Sequence, residues 1–459
     1  MRPLEEQIGD LNKVISEFGQ RHSGVLGAYF DPDHEAMAGV RERRVHPGPE
    51  RLLVPPALAP TEFANRFGAA FGAFRSALAE IFADRMRGSW QRLADELRLD
   101  EATRRYVDVR RPPVWARFSR PDVVVHGDSF AMVEPNIGTS CGGAPDADIL
   151  GRLFENAPVL GDFLRGMGAQ RHDVMAAVAR CVRSALREHD RKPDELVVVT
   201  EFRADLAHGS FYYDAFADEL NRHGVRARVA AVEDLECDPS GVFLDGVPCG
   251  AIYRICAEEP DPAAGFPALS ALISAAHAAR VALVDELDDQ IAGHKTILAV
   301  LSEELDAGHV DPRHSGLLDP FIPWTRILSD GFSVFHGERI ELVPWTLKNQ
   351  EDLVLKPGTG FQGRGVTLGC ETEESNWRSL VEEILNSGEP WLVQSLVRSN
   401  TTSVSVSREK ELYSEETFVE YGCFAIADSV PASAFRRSAP VGVQTRKIKQ
   451  STIGPLFFV

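Results

Sequence analysis

The sequence lacks the cysteine spacing of a zinc-binding or disulfide-stabilised protein. Its seven cysteines are scattered over 459 residues, and no two of them form a Cys-x-x-Cys pair. This distribution excludes a recognisable zinc site and disfavours a disulfide framework. We therefore expect a reduced, cytoplasmic protein.

Basic residues are scarce relative to acidic ones. Lysine and arginine number 49 against 68 aspartates and glutamates, which gives a formal net charge of −19. An average surface of this charge repels nucleic acid and anionic membranes. We therefore expect neither nucleic acid nor a membrane as a partner.

Long apolar runs are missing as well. The most apolar window, "ALSALISAAHAARVALV", is interrupted by His277 and Arg280, and it predicts a packed helix followed by a strand rather than a membrane span. The N-terminal residues have acids where a signal peptide has bases, so we expect no targeting segment. A hydrophobic content of 44% over this length predicts two or three structural units.

Along the chain, the sequence pattern changes from helical to mixed α/β. In the first hundred residues, phenylalanines recur at steps of four, four and three and predict the buried face of a helix; they are Phe63, Phe67, Phe71 and Phe74. Residues 190–290 contain "ELVVVTEF", "YYDAFADELNRHG" and "VRARVAAVEDL", a strand–helix–strand order that predicts a parallel sheet. Residues 291–306 predict one helix, and the Ser/Thr-rich residues 398–411 predict an exposed loop.

The stretch "LKPGTGFQGRG" at residues 355–365 has the glycine spacing of several phosphate-binding loops. A dinucleotide-binding loop is followed by a helix, whereas "RGVTLG" predicts a strand. A P-loop has its lysine after the glycines, whereas Lys356 precedes them. Strand, glycine loop and strand also occur in protein kinases, but no His-Arg-Asp or Asp-Phe-Gly follows. A lysine ending a strand before a mobile glycine lid fits best; a glycine-rich hairpin without a ligand is the alternative.

Acidic and amide side chains in the predicted hairpin at residues 122–136 suit a magnesium ion, which prefers oxygen ligands. Glu134 and Asn136 are two residues apart, and on a strand they share one face. Asp122 lies opposite Glu134 if the turn has three residues, whereas a two-residue turn moves Asp122 to the other face. An acidic edge strand facing water is the alternative.

The order of these segments resembles that of the circularly permuted ATP-grasp enzymes, the group that contains eukaryotic-type glutathione synthetase and glutathionylspermidine-synthase-like ligases. In that group the E-x-N metal motif precedes the lysine and the glycine loop, as "VEPNIGTSCGG" precedes "DLVLKPGTGFQGRGVTLG" here. The segments "HKTILAVL", "PWTR" and "LVQS" also fall at suitable intervals. The resemblance covers about residues 112–440.

The resemblance implies a mixed α/β (α+β) fold, namely a circularly permuted ATP-grasp fold with an inserted, Rossmann-like parallel-sheet substrate domain. The expected parts are a helical N-terminal region (1–110), metal-binding strands (111–165), the substrate domain (190–290), and the lid, glycine loop and closing strands (291–459).

The resemblance also implies the site residues. The expected magnesium ligands are Asp122, Glu134 and Asn136. The expected ATP contacts are Lys295 and Lys356 at the phosphates, Gly358, Gly360, Gly363, Arg364 and Gly365 in the lid, Gln394 at the adenine, and Arg437. Lys356, Arg120 and Arg254 are the expected catalytic residues, and the two arginines would bind a substrate carboxylate or an acyl phosphate. A structural salt bridge is the alternative for each arginine.

The function implied is ATP-dependent ligation with Mg²⁺. A small-molecule or peptide carboxylate takes up the γ-phosphoryl group, and an amine or thiol then displaces phosphate from the acyl phosphate. Relatives often have acids at positions that are Thr359, Gly360 and Ser395 here. A degenerate protein that binds nucleotide or a partner without catalysis, and an ATP-grasp phosphotransferase, are therefore alternatives. Assembly into a homodimer is a further alternative to a monomer.

Overall fold

The computed structural model describes residues 2–42, 51–99, 104, 117–139, 141–256, 267–278, 280–284, 288–359, 365–399, 401–408, 410–426, 434–440 and 452–459. Within these residues, no helix combines the length and the apolar character needed to cross a bilayer.

Helices occur in the described residues from Leu4 to Ser387. They are α1 (Leu4–Arg21), α2 (Ser23–Tyr29), α3 (Ala38–Glu42), α4 (Thr61–Asp84), α5 (Trp90–Glu96), α6 (Ala144–Glu155), α7 (Leu160–Gly166), α8 (Val174–Glu188), α9 (Arg203–Arg222), α10 (Pro267–His277), α11 (Asp288–Gly293), α12 (Ile297–Asp306), α13 (Pro312–Leu318), α14 (Leu342–Lys348) and α15 (Glu374–Ser387).

Strands separate and flank these helices. They are β1 (Arg51–Leu52), β2 (Ala57–Ala59), β3 (Phe118–Ser119), β4 (Asp122–His126), β5 (Ser129–Glu134), β6 (Leu196–Glu201), β7 (Ala227–Ala231), β8 (Glu236–Asp238), β9 (Gly241–Leu244), β10 (Val247–Arg254), β11 (Ala282–Val284), β12 (Thr325–Ile327), β13 (Phe332–Phe335), β14 (Glu338–Glu341), β15 (Leu353–Pro357), β16 (Thr367–Leu368), β17 (Trp391–Ser395), β18 (Thr402–Arg408), β19 (Glu411–Cys423), β20 (Ala425–Ile426), β21 (Ala434–Pro440) and β22 (Thr452–Phe458).

The largest sheet joins the two ends of the described chain. Its strand order is β1-β22-β21-β19-β4-β5, with β18 paired to β19 and β2 paired to β22. The strands β1 and β2 run parallel to β22, so the N-terminal segment contributes to the same sheet as the C-terminal one. The mainly helical N-terminal segment therefore contributes two strands to the sheet that contains the predicted metal hairpin.

Helix α4 supports that hairpin from one side. The four phenylalanines predicted to face the core are buried, with exposures of 1% for Phe63 and Phe67, 3% for Phe71 and 0% for Phe74. The ring of Phe63 lies edge-on to Phe130 of β5, with centroids 5.4 Å apart. Aromatic pairs of this geometry stabilise a core beyond their area burial. The helical periodicity thus identified the face of α4 that packs against the β4–β5 hairpin.

The parallel pairing predicted for strands between residues 190 and 290 is confirmed; these strands lie in a six-stranded mixed sheet of order β7-β6-β10-β9-β8, with β11 paired to β10. Strands β7, β6, β10 and β11 are mutually parallel. The β6 residues Leu196, Val197, Val198 and Val199 are fully buried, as expected of a strand covered on both faces. The carboxyl ends of β6 and β10 therefore form one edge, where Glu201 and Arg254 end their strands.

A four-stranded antiparallel sheet of order β12-β17-β15-β16 contains the glycine loop. Val354 and Leu355 of β15 pair with Leu368 and Thr367 of β16, so the loop after Lys356 connects two antiparallel strands. The prediction that a strand rather than a helix follows the glycines is confirmed. The dinucleotide-binding alternative is excluded on this ground.

Two local predictions are wrong. The Ser/Thr-rich residues 398–411 contain strand β18, which pairs with β19 along its whole length, because Val404 and Val406 are buried and alternate with serines. Residues 291–306 form two helices, α11 and α12, rather than one. The break follows Gly293, where an added Cβ atom would lie 2.7 Å from the carbonyl oxygen of Ile137. Lys295 lies in this break.

Candidate active site

The β4–β5 hairpin places Asp122 opposite Glu134 by means of a bulge. The turn at residues 127–128 has two residues, and the pairing register shifts by one residue at the far end of the hairpin, where Val133 is the extra residue. A bulge re-aims the side chains that follow it. Asp122 and Glu134 are therefore directly paired residues of the two strands, although the two-residue turn alone would have moved them out of register. Asp122 is buried and 4% exposed.

Asn136 lies beyond the regular strand. Strand β5 ends at Glu134, and the backbone of Asn136 has a φ of 34°, in the left-handed region. The Asn136 carbonyl accepts a hydrogen bond of 2.8 Å from the backbone N–H of Arg120. Because the backbone turns here, strand alternation does not fix the face of the Asn136 side chain. Its assignment as a magnesium ligand stays a prediction.

Lys295 and Lys356 converge on the bulged end of β5. The Nζ atom of Lys295 lies 3.1 Å from Oε1 of Glu134. The Nζ atom of Lys356 donates a 2.9 Å hydrogen bond to the carbonyl oxygen of Val133. The extra residue of a bulge is left out of the regular ladder, which makes its carbonyl accessible to a side-chain donor. The bulge therefore positions Glu134 and also binds Lys356.

Lys356 is surrounded by charged groups. Burial lowers the pKa of its ammonium group to about 8; Glu134 opposes the shift, Lys295 adds to it, and Glu420 and Asp122 also oppose it. Glu420 comes from β19, an element that sequence reasoning did not include in the site. The only sequence signal was an acid within the otherwise apolar stretch "FVEYGCF". The site thus draws charges from β4, β5, β15, β19 and the turn before α12.

The glycine loop begins against this site. The backbone N–H of Gly358 donates to the carbonyl of Pro390 at 2.7 Å, and the N–H of Lys295 donates to the carbonyl of Gly358 at 3.2 Å. A Cβ atom on Gly358 would lie 2.8 Å from the Pro390 oxygen and 3.0 Å from the His294 ring. The close approach explains the glycine at position 358.

The rest of the predicted lid is only partly visible. Gly365 has a φ of 77°, a conformation that favours glycine. Gly360, Gly363 and Arg364 lie outside the described residues.

Gln394 lies next to Lys356 on the neighbouring strand. Its Oε1 atom accepts a 2.7 Å hydrogen bond from Lys356 Nζ, and its Nε2 atom donates to Oγ1 of Thr325 at 3.0 Å. Gln394 is 1% exposed. Its assignment as an adenine contact stays a prediction.

The two predicted substrate arginines lie in different places. Arg120 donates to the carbonyl of Gly142 at 2.6 Å, and its Nε atom is 3.9 Å from Oδ1 of Asp122. Arg254 ends β10, is 2% exposed, and donates to the carbonyl of Cys256. Arg120 is thus part of the carboxylate hairpin, whereas Arg254 belongs to the edge of the parallel sheet.

Glu201 and Tyr213 accompany Arg254 at that edge and were missed by sequence reasoning. Glu201 accepts hydrogen bonds from the backbone N–H of Phe202 at 2.8 Å and from the Tyr213 hydroxyl at 3.3 Å. Burial raises the pKa of the Glu201 carboxyl group to about 7, and the hydrogen bonds and Arg254 only partly oppose this shift. The sequence signal for Glu201 was its position, because it is a charged residue at the end of an apolar strand.

Arg437 occupies strand β21, where its backbone pairs with that of Glu420. Its side chain lies outside what the structure describes. The prediction of a phosphate contact by Arg437 therefore stays a prediction.

A magnesium ion would find carboxylate oxygens at Asp122 and Glu134. Among the described residues, no three His, Cys, Asp or Glu side chains form a metal-binding cluster. Magnesium in nucleotide sites is commonly held by one or two carboxylates together with phosphate oxygens. The paired carboxylates therefore fit magnesium bound with a nucleotide better than an all-protein metal site.

Comparisons with known proteins identify the fold. No protein-family model matches the sequence, and no curated protein matches it in sequence. A solved structure of a glutathione synthetase-like effector from Globodera pallida superposes with a TM-score of 0.55 at 11% identity, covering 89% of this chain and 90% of that chain. A candidate gamma-glutamylcysteine synthetase from Methylobacillus flagellatus KT gives a TM-score of 0.40 at 13% identity, covering 81% of this chain and 83% of that chain, and does not contribute to the assignment. The chain therefore has a mixed α/β fold similar to that of a glutathione synthetase-like protein.

Proposed function

We propose that the chain is an ATP-dependent ligase that joins a carboxylate to an amine or a thiol. The observation that most directly supports this function is the convergence of Lys295 and Lys356 on the bulged hairpin that contains Glu134. Two ammonium groups beside paired carboxylates suit a nucleoside triphosphate bound with magnesium. The solved structure of similar fold is a glutathione synthetase-like effector, and its likeness to a synthetase supports a ligase-type function.

The finer fold that we propose is a circularly permuted ATP-grasp fold. Strand β5, with Glu134, precedes β15, with Lys356, in the chain, and the two strands nevertheless meet at one site. The parallel sheet between them in sequence would then be the inserted substrate domain. Ligands of parallel sheets bind at the carboxyl ends of the strands, which is where Glu201 and Arg254 lie.

The proposed reaction has two steps. An oxygen of the donor carboxylate attacks the γ-phosphorus of ATP, the bond to ADP breaks, and an acyl phosphate forms. The amine or thiol of the acceptor then attacks the carbonyl carbon, phosphate leaves, and the acceptor loses its proton. Magnesium would neutralise part of the phosphate charge when bound.

The residues of this chain would contribute binding and electrostatics rather than a covalent intermediate. Lys295 and Lys356 would bind the phosphate oxygens, on which negative charge is concentrated during the transfer. The glycine loop after Lys356 would cover the phosphates with backbone N–H groups and exclude water from the acyl phosphate. Arg254 and Glu201 would bind polar groups of a substrate at the edge of the parallel sheet.

A non-catalytic nucleotide-binding protein is the second candidate. Thr359, at the start of the glycine loop, is exposed and neutral, and Ser395, after Gln394, is half-buried and neutral. Neither position supplies the acid that the resemblance leads us to expect. Such a protein would bind ATP and release no ADP.

The test is ADP release from the purified chain with panels of carboxylates and amines or thiols. A ligase releases ADP only with a matching pair, forms a ligated product, and loses both in Lys356→Met. Lys348→Met is the matched control, because Lys348 is an exposed lysine on α14. ATP binding without ADP release from any pair would favour the non-catalytic protein. A stable phosphorylated product without ligation would indicate a phosphotransferase, and absence of ATP binding would contradict all three functions.

A further inference from the structure

We propose that Gln394 is a positioning residue for Lys356 and that Thr325 fixes the orientation of its amide. This inference rests on the proposed function, in which Lys356 binds phosphate. It predicts that Gln394 affects the binding of the nucleotide's phosphates rather than the binding of its adenine.

The three residues lie across three adjacent strands. In the order β12-β17-β15, Gln394 pairs with Thr325 on one side and with Val354 on the other. Directly paired residues share a face of a sheet, and so does Lys356, two residues beyond Val354. The register of the sheet therefore places Thr325, Gln394 and Lys356 on one face.

The bond from Thr325 to Pro323 determines which group donates in each of the following hydrogen bonds. The Thr325 hydroxyl donates to the carbonyl of Pro323 at 2.8 Å, and a carbonyl can only accept. With its hydrogen used there, Oγ1 of Thr325 accepts from Nε2 of Gln394 at 3.0 Å. The amide then presents Oε1 to Lys356 Nζ at 2.7 Å. The reverse orientation would place an NH₂ group against an ammonium group.

Burial makes this orientation costly to change. Thr325 is 0% exposed, Gln394 is 1% exposed and Lys356 is 9% exposed. A buried donor or acceptor that loses its partner has no water to replace it. Together with the Val133 carbonyl on the other side, the Gln394 oxygen holds the Lys356 ammonium group at the bulged end of β5.

This arrangement predicts that a residue that does not contact Lys356 controls phosphate binding. Thr325→Val keeps the shape of the side chain and removes the hydroxyl, so the Gln394 amide is no longer held. Thr325→Ser keeps the hydroxyl and should restore the wild-type behaviour. Gln394→Met removes the amide itself and tests the same contact independently of Thr325.

The probes are MgATP and magnesium tripolyphosphate, which has phosphates and no adenine, titrated by calorimetry into the full chain. We expect Thr325→Val and Gln394→Met to weaken binding of both probes by about tenfold, as for one hydrogen bond to a charged group. Thr325→Ser should bind both probes as the wild type does. Thr346→Val is the matched control, since Thr346 is buried in the same unit and its hydroxyl has no hydrogen-bond partner among the described residues.

Two results would overturn the inference. If Gln394→Met weakens ATP but not tripolyphosphate, Gln394 contacts the adenine. If Thr325→Val binds both probes as the wild type does, Thr325 does not fix the amide.

Failure of the premise that Lys356 binds phosphate has a different signature, because the wild type would then bind neither probe; failure of ligation alone shows as probe binding without ADP release. Crystal structures of the wild type and of Thr325→Val decide the inference when neither probe binds. It requires Lys356 Nζ to leave Gln394 in the variant, and an unchanged position of Nζ would overturn it.

Discussion

Replacing Glu201 by glutamine should change how the stability of the protein depends on pH. Glu201 ends β6 and is 8% exposed, and burial is the main cause of its raised pKa of about 7. The amide of glutamine has nearly the same shape and can accept from the Phe202 N–H and bond to the Tyr213 hydroxyl, as the carboxyl group does. The substitution therefore removes the titration and keeps the contacts.

The sign and size follow from the two pKa values. The carboxyl group has a pKa of 4.5 when unperturbed and about 7 in the folded chain. Between these values the folded state holds a proton that the unfolded state has lost, so stability falls as pH rises through the window. The shift corresponds to about 3 kcal/mol. We therefore expect Glu201→Gln to gain about 3 kcal/mol relative to the wild type between pH 4.5 and pH 8.

Urea unfolding at pH 4.5, 6 and 8 measures this difference directly. The exposed Glu236 of β8 supplies the control variant Glu236→Gln, which makes the same substitution outside the buried edge. A constant difference between Glu201→Gln and the wild type across the three pH values would refute the reasoning, because the buried carboxyl group would then not titrate in this window.

The remaining predictions concern the nucleotide site. Lys356→Met should weaken ATP binding by about 10- to 100-fold, the loss of one charged contact, and unchanged affinity in calorimetry would remove Lys356 from the phosphate site. Glu134→Gln should abolish the dependence of ATP affinity on magnesium. Titrations of ATP in magnesium and in EDTA measure this dependence, and a variant whose affinity still differs between the two would contradict the prediction. Gly358→Ala should lower the free energy of unfolding by about 1–3 kcal/mol, because its Cβ atom would lie 2.8 Å from the Pro390 oxygen. Gly316→Ala is its control, because an added Cβ there meets no atom within 4 Å outside its chain neighbours and its own helix backbone; equal stability of the two variants would contradict the close packing.

Periodic patterns made much of the fold predictable. The spacing of four phenylalanines identified α4 and its buried face, a continuous apolar run identified β6, and the strand–helix–strand order identified β7 beside it. The strand after the glycine loop was predictable because "GVTLG" has no helical pattern. These elements were predictable because their sequence periods match the periods of helices and strands.

Features set by tertiary contacts were not predictable. The bulge at Val133 depends on the pairing of β4 with β5, and no residue of the hairpin announces it. Strand β18 was missed because its serines are typical of loops, whereas its pairing with β19 and two buried valines decide its conformation. The helix break at Lys295 follows from the packing of Gly293 against the Ile137 carbonyl.

For the candidate site, the sequence indicated which residues lie close together, but it did not indicate which side-chain contacts they make. The proximity of Lys295, Lys356 and Glu134 agrees with the order of motifs in the sequence. The orientation of Gln394 towards Lys356 depends on a hydroxyl from a third strand, and local sequence contains no information on such a contact. Glu420 joins the site only because β19 pairs with β4.

A crystal structure of the chain with magnesium and a non-hydrolysable ATP analogue tests the central claim most directly. The account predicts phosphate oxygens within hydrogen-bond distance of Lys295 and Lys356, and a magnesium ion on the carboxylates of Asp122 and Glu134. Binding of the analogue at a different place, or with both lysines still held by Glu134 and Gln394 and without a phosphate contact, would contradict it.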